Sequence, residues 1–121
     1  METNIQHPES LQYAEVYISD MLALKDIFLQ SLDSQKISPD FGIPFLLAKK
    51  ENKIASFASL ILNESGEIGF KIFDKKDIKE SEKRNFMIRV ENYFKENKTP
   101  NFRDSNQLKS SINEMISWLN P

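Results

Sequence analysis

Between Pro44 and Phe73 the chain reads PFLLAKKENKIASFASLILNESGEIGFKIF, three apolar runs split by two short polar turns. This spacing predicts an antiparallel meander. Its first strand runs from Phe45 to Lys49, and Glu51-Asn52-Lys53 supply the turn. The second strand, Ile54 to Leu62, sets Ile54, Ser56, Ala58, Leu60 and Leu62 on one face and Ala55, Phe57, Ser59 and Ile61 on the other. Both faces are small or apolar, so the strand is expected to be central and covered on both sides. Asn63-Glu64-Ser65-Gly66 form the next turn, with Gly66 suited to a left-handed position. In the last strand, Glu67 to Phe73, Ile68, Phe70 and Ile72 share one face, and Gly69, Lys71 and Phe73 share the other.

Elsewhere the periodicity is mostly helical. Leu11 to Leu32 reads either as one long helix or as a strand, Tyr13 to Ile18, followed by a helix from about Asp20. The alternation of Tyr13, Glu15 and Tyr17 with Ala14, Val16 and Ile18 favours the strand. Ser19 or Asp20 would cap the helix, which would bury Met21, Leu24, Ile27, Phe28 and Leu32 at steps of three and four. Asp33 to Pro44 is a loop with room for one helical turn after Ser38; its Phe41 and Ile43 would cover a core edge. Asp77 and Glu80 resemble a capping box for a helix reaching about Asn97, with Phe86, Val90, Tyr93 and Phe94 buried and Met87 beside them. Asp104 and Gln107 offer a second capping pair. The helix after them carries a stripe of Leu108, Ile112, Met115, Ile116 and Leu119. Trp118, Tyr13 and Tyr17 are expected at the core or its edge.

The expected fold class is therefore α+β: a single domain over residues 1–121, in which a small, mainly antiparallel sheet packs with three to four helices. Residues 1–10 form a polar tail expected to fray. A chain of 121 residues with 40% hydrophobic content and nine Phe can build a core without staples. Cysteine is absent, which removes disulfide frameworks, thiolate zinc sites and cysteine nucleophiles. The net charge of −2, with lysine and arginine scattered among acids, argues against a general nucleic-acid binder. No apolar run approaches the roughly 20 residues that span a bilayer. The first residues, METNIQHPES, hold no cationic region followed by an apolar stretch. A cytoplasmic location without membrane or nucleic-acid partners is the expectation.

Candidate chemistry is sparse. His7 is the only histidine and sits in the polar tail, so neither a histidine-based catalytic pair nor a nitrogen-rich metal site is expected. Asp74 and Asp77, like Glu64 and Glu67, read as solvated carboxylates. The three glycines, Gly42, Gly66 and Gly69, are not spaced as a phosphate-cradling loop requires. One feature points toward an anion. Lys75, Lys76, Lys79, Lys83 and Arg84 cluster before and within the first turns of a helix, where backbone N–H groups point outward. Glu80 and Glu82 already complement that helix end.

Three passages carry a resemblance. AEVYISDMLALKDIFLQSL looks like the opening strand and helix of the GNAT superfamily of N-acetyltransferases. FLLAKKENKIASFASLILNESGEIGFKIF resembles that family's second to fourth strands, and ESEKRNFMIRVENYFKENK stands where the helix after its cofactor loop belongs. The resemblance implies acetyl-CoA as cofactor, with Ile72 and Phe73 near the acyl-thioester. It also implies phosphates against Lys83 and Arg84, with Lys79 and Asn85 as further cofactor-binding residues, in a cleft above Lys79 to Asn85. The family's cofactor loop has the pattern Arg or Gln, two residues, Gly, one residue, Gly or Ala; here Lys79 to Met87 reads KESEKRNFM, without glycine. Ser56 stands where members often carry Gly, and MISWLNP, with Ile116 near the position of a tyrosine acid, replaces a Tyr-containing end. The expected function is a degenerate GNAT-like domain that no longer transfers acetyl groups and binds a small ligand or a protein. An active acyl-CoA-dependent N-acyltransferase with a divergent loop is the alternative. An unrelated interaction module, for example a homodimer joined through a sheet edge or the last helix, is the third reading.

Overall fold

The computed structural model describes residues 11–33 and 35–120. The expected frayed tail lies outside them. Eight elements follow in order: β1 (Gln12–Glu15), α1 (Met21–Leu32), β2 (Ile43–Lys50), β3 (Lys53–Leu62), β4 (Ile68–Asp74), α2 (Glu80–Glu96), α3 (Pro100–Arg103) and α4 (Ser105–Leu119). Single 3₁₀ turns at Ile18–Asp20 and Pro39–Phe41 complete the path. The strands form one antiparallel sheet in the order β1-β2-β3-β4. The fold is α+β, a meander covered by helices on both faces.

Alternation along β3 places one apolar layer on each side. Leu47, Phe57 and Phe73 form a cross-strand row facing α1, where Leu24, Ile27 and Phe28 meet them. Phe28 sets its ring edge-on to Phe41 and Phe73, each at 5.2 Å between centroids. On the opposite face Leu46, Ala58 and Leu60 lie under Phe86, Val90, Leu108 and Ile112 of α2 and α4. Burying each of these large side chains contributes about 2 kcal/mol. A sheet covered twice therefore needs its central strands apolar on both sides, and β3 meets that demand.

The turns follow local chemistry. Glu51 and Asn52 both adopt left-handed φ, 55° and 67°, which matches the twist of a two-residue hairpin. Lys53, assigned by sequence to the turn, pairs with Lys50 within the sheet. At the next turn Asn63 Oδ1 accepts from the backbone N–H groups of Ser65 and Glu67, each at 2.9 Å, and Gly66 takes a φ of 79°.

Several expectations are corrected. β1 stops at Glu15 instead of Ile18. The Asp20 carboxylate accepts the Tyr17 backbone N–H at 2.9 Å and bends the chain into a 3₁₀ turn, leaving Tyr17 exposed and α1 without a side-chain cap. Leu32 is 48% exposed, because α1 ends there and Asp33 turns left-handed; Leu29 packs on the core instead. Ile54 departs from the Ser56 face. An irregularity between Ala48 and Lys49 lets β3 carry an extra residue, and Ile54 joins the cluster under α1. Phe41 is fully buried and belongs to the core proper. Trp118, about 100° around α4 from Leu119, misses the apolar stripe and stands 54% exposed. Tyr93 and Phe94, expected buried with Phe86 and Val90, are only half-buried, and Met87 stands 40% exposed beside that stripe. The short helix α3 was not foreseen; Pro100 opens it and Phe102 anchors it.

Candidate functional site: a groove between the first strand and the long helix

Helix α2 crosses the sheet with one flank toward β1 and the other toward β4. Phe86, Tyr93 and Phe94 carry that placement: Phe86 lies nearly parallel to Tyr13 of β1 at 5.9 Å, Tyr93 stacks on Phe45 of β2 at 5.6 Å, and Phe94 meets Phe70 of β4 at 5.3 Å. Phe45 reaches this face through a bulge between Pro44 and Leu46, which lets two successive residues face the same helix layer.

The cofactor residues implied by the resemblance do not converge. Ile72 sits half-buried on the α2 side of β4, and Phe73 is buried on the α1 side, packed on Phe28 and Phe57. Adjacent residues of a strand point to opposite faces, so the two side chains do not share one face of the sheet. Arg84 is exposed, and Lys83 sits 3.5 Å from Glu80 within the same helical turn. Lys79 precedes the helix, and Asn85 turns toward β1. The sheet ends at β4 among the described residues, leaving no strand pair to open a cleft above Lys79 to Asn85.

The start of α2 already holds an anion. Glu82, only 7% exposed, sends Oε1 back to the Lys79 backbone N–H at 3.0 Å and to Lys50 Nζ at 3.4 Å. The expected pairing of Asp77 with Glu80 is thus replaced by one two residues further on, because α2 begins at Glu80. A carboxylate at N3 satisfies the positive end of the helix. A pyrophosphate entering that turn would meet the buried Glu82 at close range, and like charges in a poorly solvated place repel strongly. The residues present do not fit the phosphates of acetyl-CoA.

The flank of α2 toward β1 builds a different site. Tyr13, Asn85, Ile88, Arg89, Asn92, Tyr93 and Glu96 line a groove of about 500 Å³. Arg89 places its guanidinium carbon 4.7 Å from the centre of the Tyr13 ring. The Tyr93 hydroxyl donates to Glu15 Oε2 at 2.6 Å. Burial first, then the hydrogen bond to Glu15 and its charge, hold the Tyr93 phenol above its ordinary pKa. These contacts fasten helix to strand and fix the groove's width.

Beside the groove runs β1, an edge strand of the sheet. Val16 donates its backbone N–H to Phe45 O at 3.3 Å, so the even-numbered residues of β1 face β2. By the antiparallel alternation, the backbone groups of Tyr13 and Glu15 face outward. Sequence reading placed Tyr13 at the core or its edge and Asn85 among the cofactor residues, and passed over Arg89 and Tyr93 as binding residues. The helical spacing of Asn85, Arg89, Asn92 and Glu96 was a usable signal, since steps of three and four put them on one flank.

Among the described residues, no helix is long and apolar enough to cross a membrane, and no cluster of His, Cys, Asp or Glu could hold a metal ion. Compared with protein-family models, with curated proteins and with solved structures, the chain matches none.

Proposed function

We propose that this chain is a binding domain that transfers no acyl group, and that its ligand is an extended peptide segment of a protein partner laid along β1 beneath α2. On the resemblance reading, it is a GNAT-like domain whose cofactor turn has been taken over by Glu82. The observation that carries the proposal is the outward-facing main chain of Tyr13 and Glu15 on an edge strand, beside a groove that Tyr13 lines together with α2. An extended peptide adds to such an edge through main-chain hydrogen bonds, and side chains above the edge select among sequences. Arg89, Asn85, Asn92 and Glu96 would make that selection, while the aromatic faces of Tyr13 and Tyr93 supply rigid contact area.

Selection from a random peptide display library, followed by backbone amide shift mapping, tests this. Enriched peptides are expected to perturb Tyr13, Glu15, Asn85 and Arg89, and Arg89→Ala should weaken them roughly tenfold. Peptides that map to another face would overturn the proposed site. A clear rise in melting temperature with millimolar acetyl-CoA would overturn the non-catalytic reading and revive the acyltransferase.

A further inference from the structure

The apolar layer under α1 stops short of the hairpin between β2 and β3. Leu47 and Phe73 belong to the row that meets α1. Side chains two residues apart on a strand share a face, so Lys49 and Lys75 continue that row beyond its end. Strand pairing reaches that far, since Lys75 donates its backbone N–H to Ala55 O at 2.9 Å. On the strand between the two lysines lies Ile54, paired with Lys49 and packed toward α1. Facing this end of the row, α1 offers Ala23, with no more than a methyl group. A cleft of about 480 Å³ is left between α1 and the hairpin, lined by the buried Ile27 and the half-buried Ile54.

Opposite charges line this cleft without meeting. Lys49, Lys53 and Lys75 stand on the sheet side, and Asp20 and Asp26 on the helix side. Among the described residues, none of the three lysines forms an ion pair. The Asp20 carboxylate accepts only the Tyr17 backbone N–H, and the Asp26 carboxylate has no partner among them. We infer that the cleft binds a small acidic α-amino acid, a molecule with two anionic groups and one ammonium. An anion alone would draw the lysines but lie beside two carboxylates. A cation alone would meet three ammonium groups. Three lysines against two aspartates leave one positive charge in excess, which suits a ligand with one net negative charge. Its anionic groups would take charge-assisted hydrogen bonds from Lys49 and Lys75, and its ammonium would turn to Asp26. The ligand's carbon stem would lie over Ile27 and Ile54. The cleft is on the α1 face of the sheet and the peptide groove on the α2 face, so the two readings stand or fall separately.

Backbone amide shift mapping with L-glutamate tests the inference, at fixed ionic strength because salt screens exposed charges. The amides of Ala23, Ile27, Lys49 and Lys75 are expected to move and to saturate. Glutarate, which lacks the ammonium, and putrescine, which lacks the anionic groups, should each bind roughly tenfold more weakly or worse. Lys49→Gln and Asp26→Asn should each weaken L-glutamate roughly tenfold. Ala23→Leu keeps every charge and substitutes one good helix former for another, so by filling the cleft it should abolish the shifts. Ala23 and Asp26 are exposed, and circular dichroism of each variant checks that the fold is kept. No saturating shift with L-glutamate at tens of millimolar overturns the inference. So does glutarate or putrescine binding as tightly as L-glutamate, a shift pattern that maps to another face, or shifts that survive Ala23→Leu.

Discussion

Two residues show how much one position can control. Gly42 has φ 65° and ψ −147°, a combination that side chains resist, and a Cβ there would lie 2.0 Å from the Leu60 carbonyl oxygen. Gly42→Ala should therefore cost about 3 kcal/mol or more, read as a lowered urea midpoint. Tyr93 gives a pH signature. Its pKa is raised in the folded state, by burial and then by Glu15, so its contribution to stability is fully present below the unfolded value near 10.0 and is lost as pH rises through the folded value. The unaltered protein should lose stability above pH 10.0 more steeply than Tyr93→Phe, and the variant should lack one phenolate step in an ultraviolet titration. Parallel profiles for the two proteins would refute the assignment of that step to Tyr93.

At the scale of elements, α2 organises the molecule. Its sequence pattern was readable because Phe86, Val90, Tyr93 and Phe94 repeat at helical steps. Its beginning was misread by two residues, since Asp77 and Glu80 match a capping box locally and only packing against β2 decides in favour of Glu82. The decision falls to Glu82 because Lys50 reaches it from the sheet. Glu82→Ala should cost about 2 kcal/mol, by stranding the Lys50 ammonium and the Lys79 N–H together, while Glu82→Gln, which still accepts from that N–H, should cost less. Equal losses in the two variants, measured by urea unfolding, would show that the carboxylate's charge, and not its hydrogen bond, holds the helix end. Helix α4 presents the simpler case: Asp104 accepts from the backbone N–H groups of Asn106 and Gln107, half of the expected pairing, while the Gln107 amide turns to Ser111.

Over the whole molecule, the sheet is sandwiched and the end of its last helix is tied in. Lys25 Nζ donates to the Leu119 carbonyl at 2.5 Å, and the Asn120 amide both donates to and accepts from the Ile37 backbone, at 2.8 and 3.1 Å. These contacts join the end of α4 to α1 and to the loop before β2, so both helical layers close on the same strands. Amides of β2 and β3, buried on both faces, are expected to exchange last, and those at the outward positions of β1 and β4 first. Hydrogen exchange read by mass spectrometry checks this ranking.

What the amino-acid order determined by itself is what local periodicity encodes. It set the three-stranded meander, the facing of Phe57 against Ala58 and of Phe70 against Phe73, the helical stripes and the Asp104 cap. Each follows from neighbours a few residues apart. Tertiary structure decided what depends on partners far along the chain. The bulge that turned Ile54, the withdrawal of Trp118 from the core, the burial of Glu82 against Lys50 and the meeting of Tyr13 with Arg89 all rest on segments brought together from distant parts of the sequence. Their outcome depends on how two helical layers fit one twisted sheet, and no short window of sequence carries that fit.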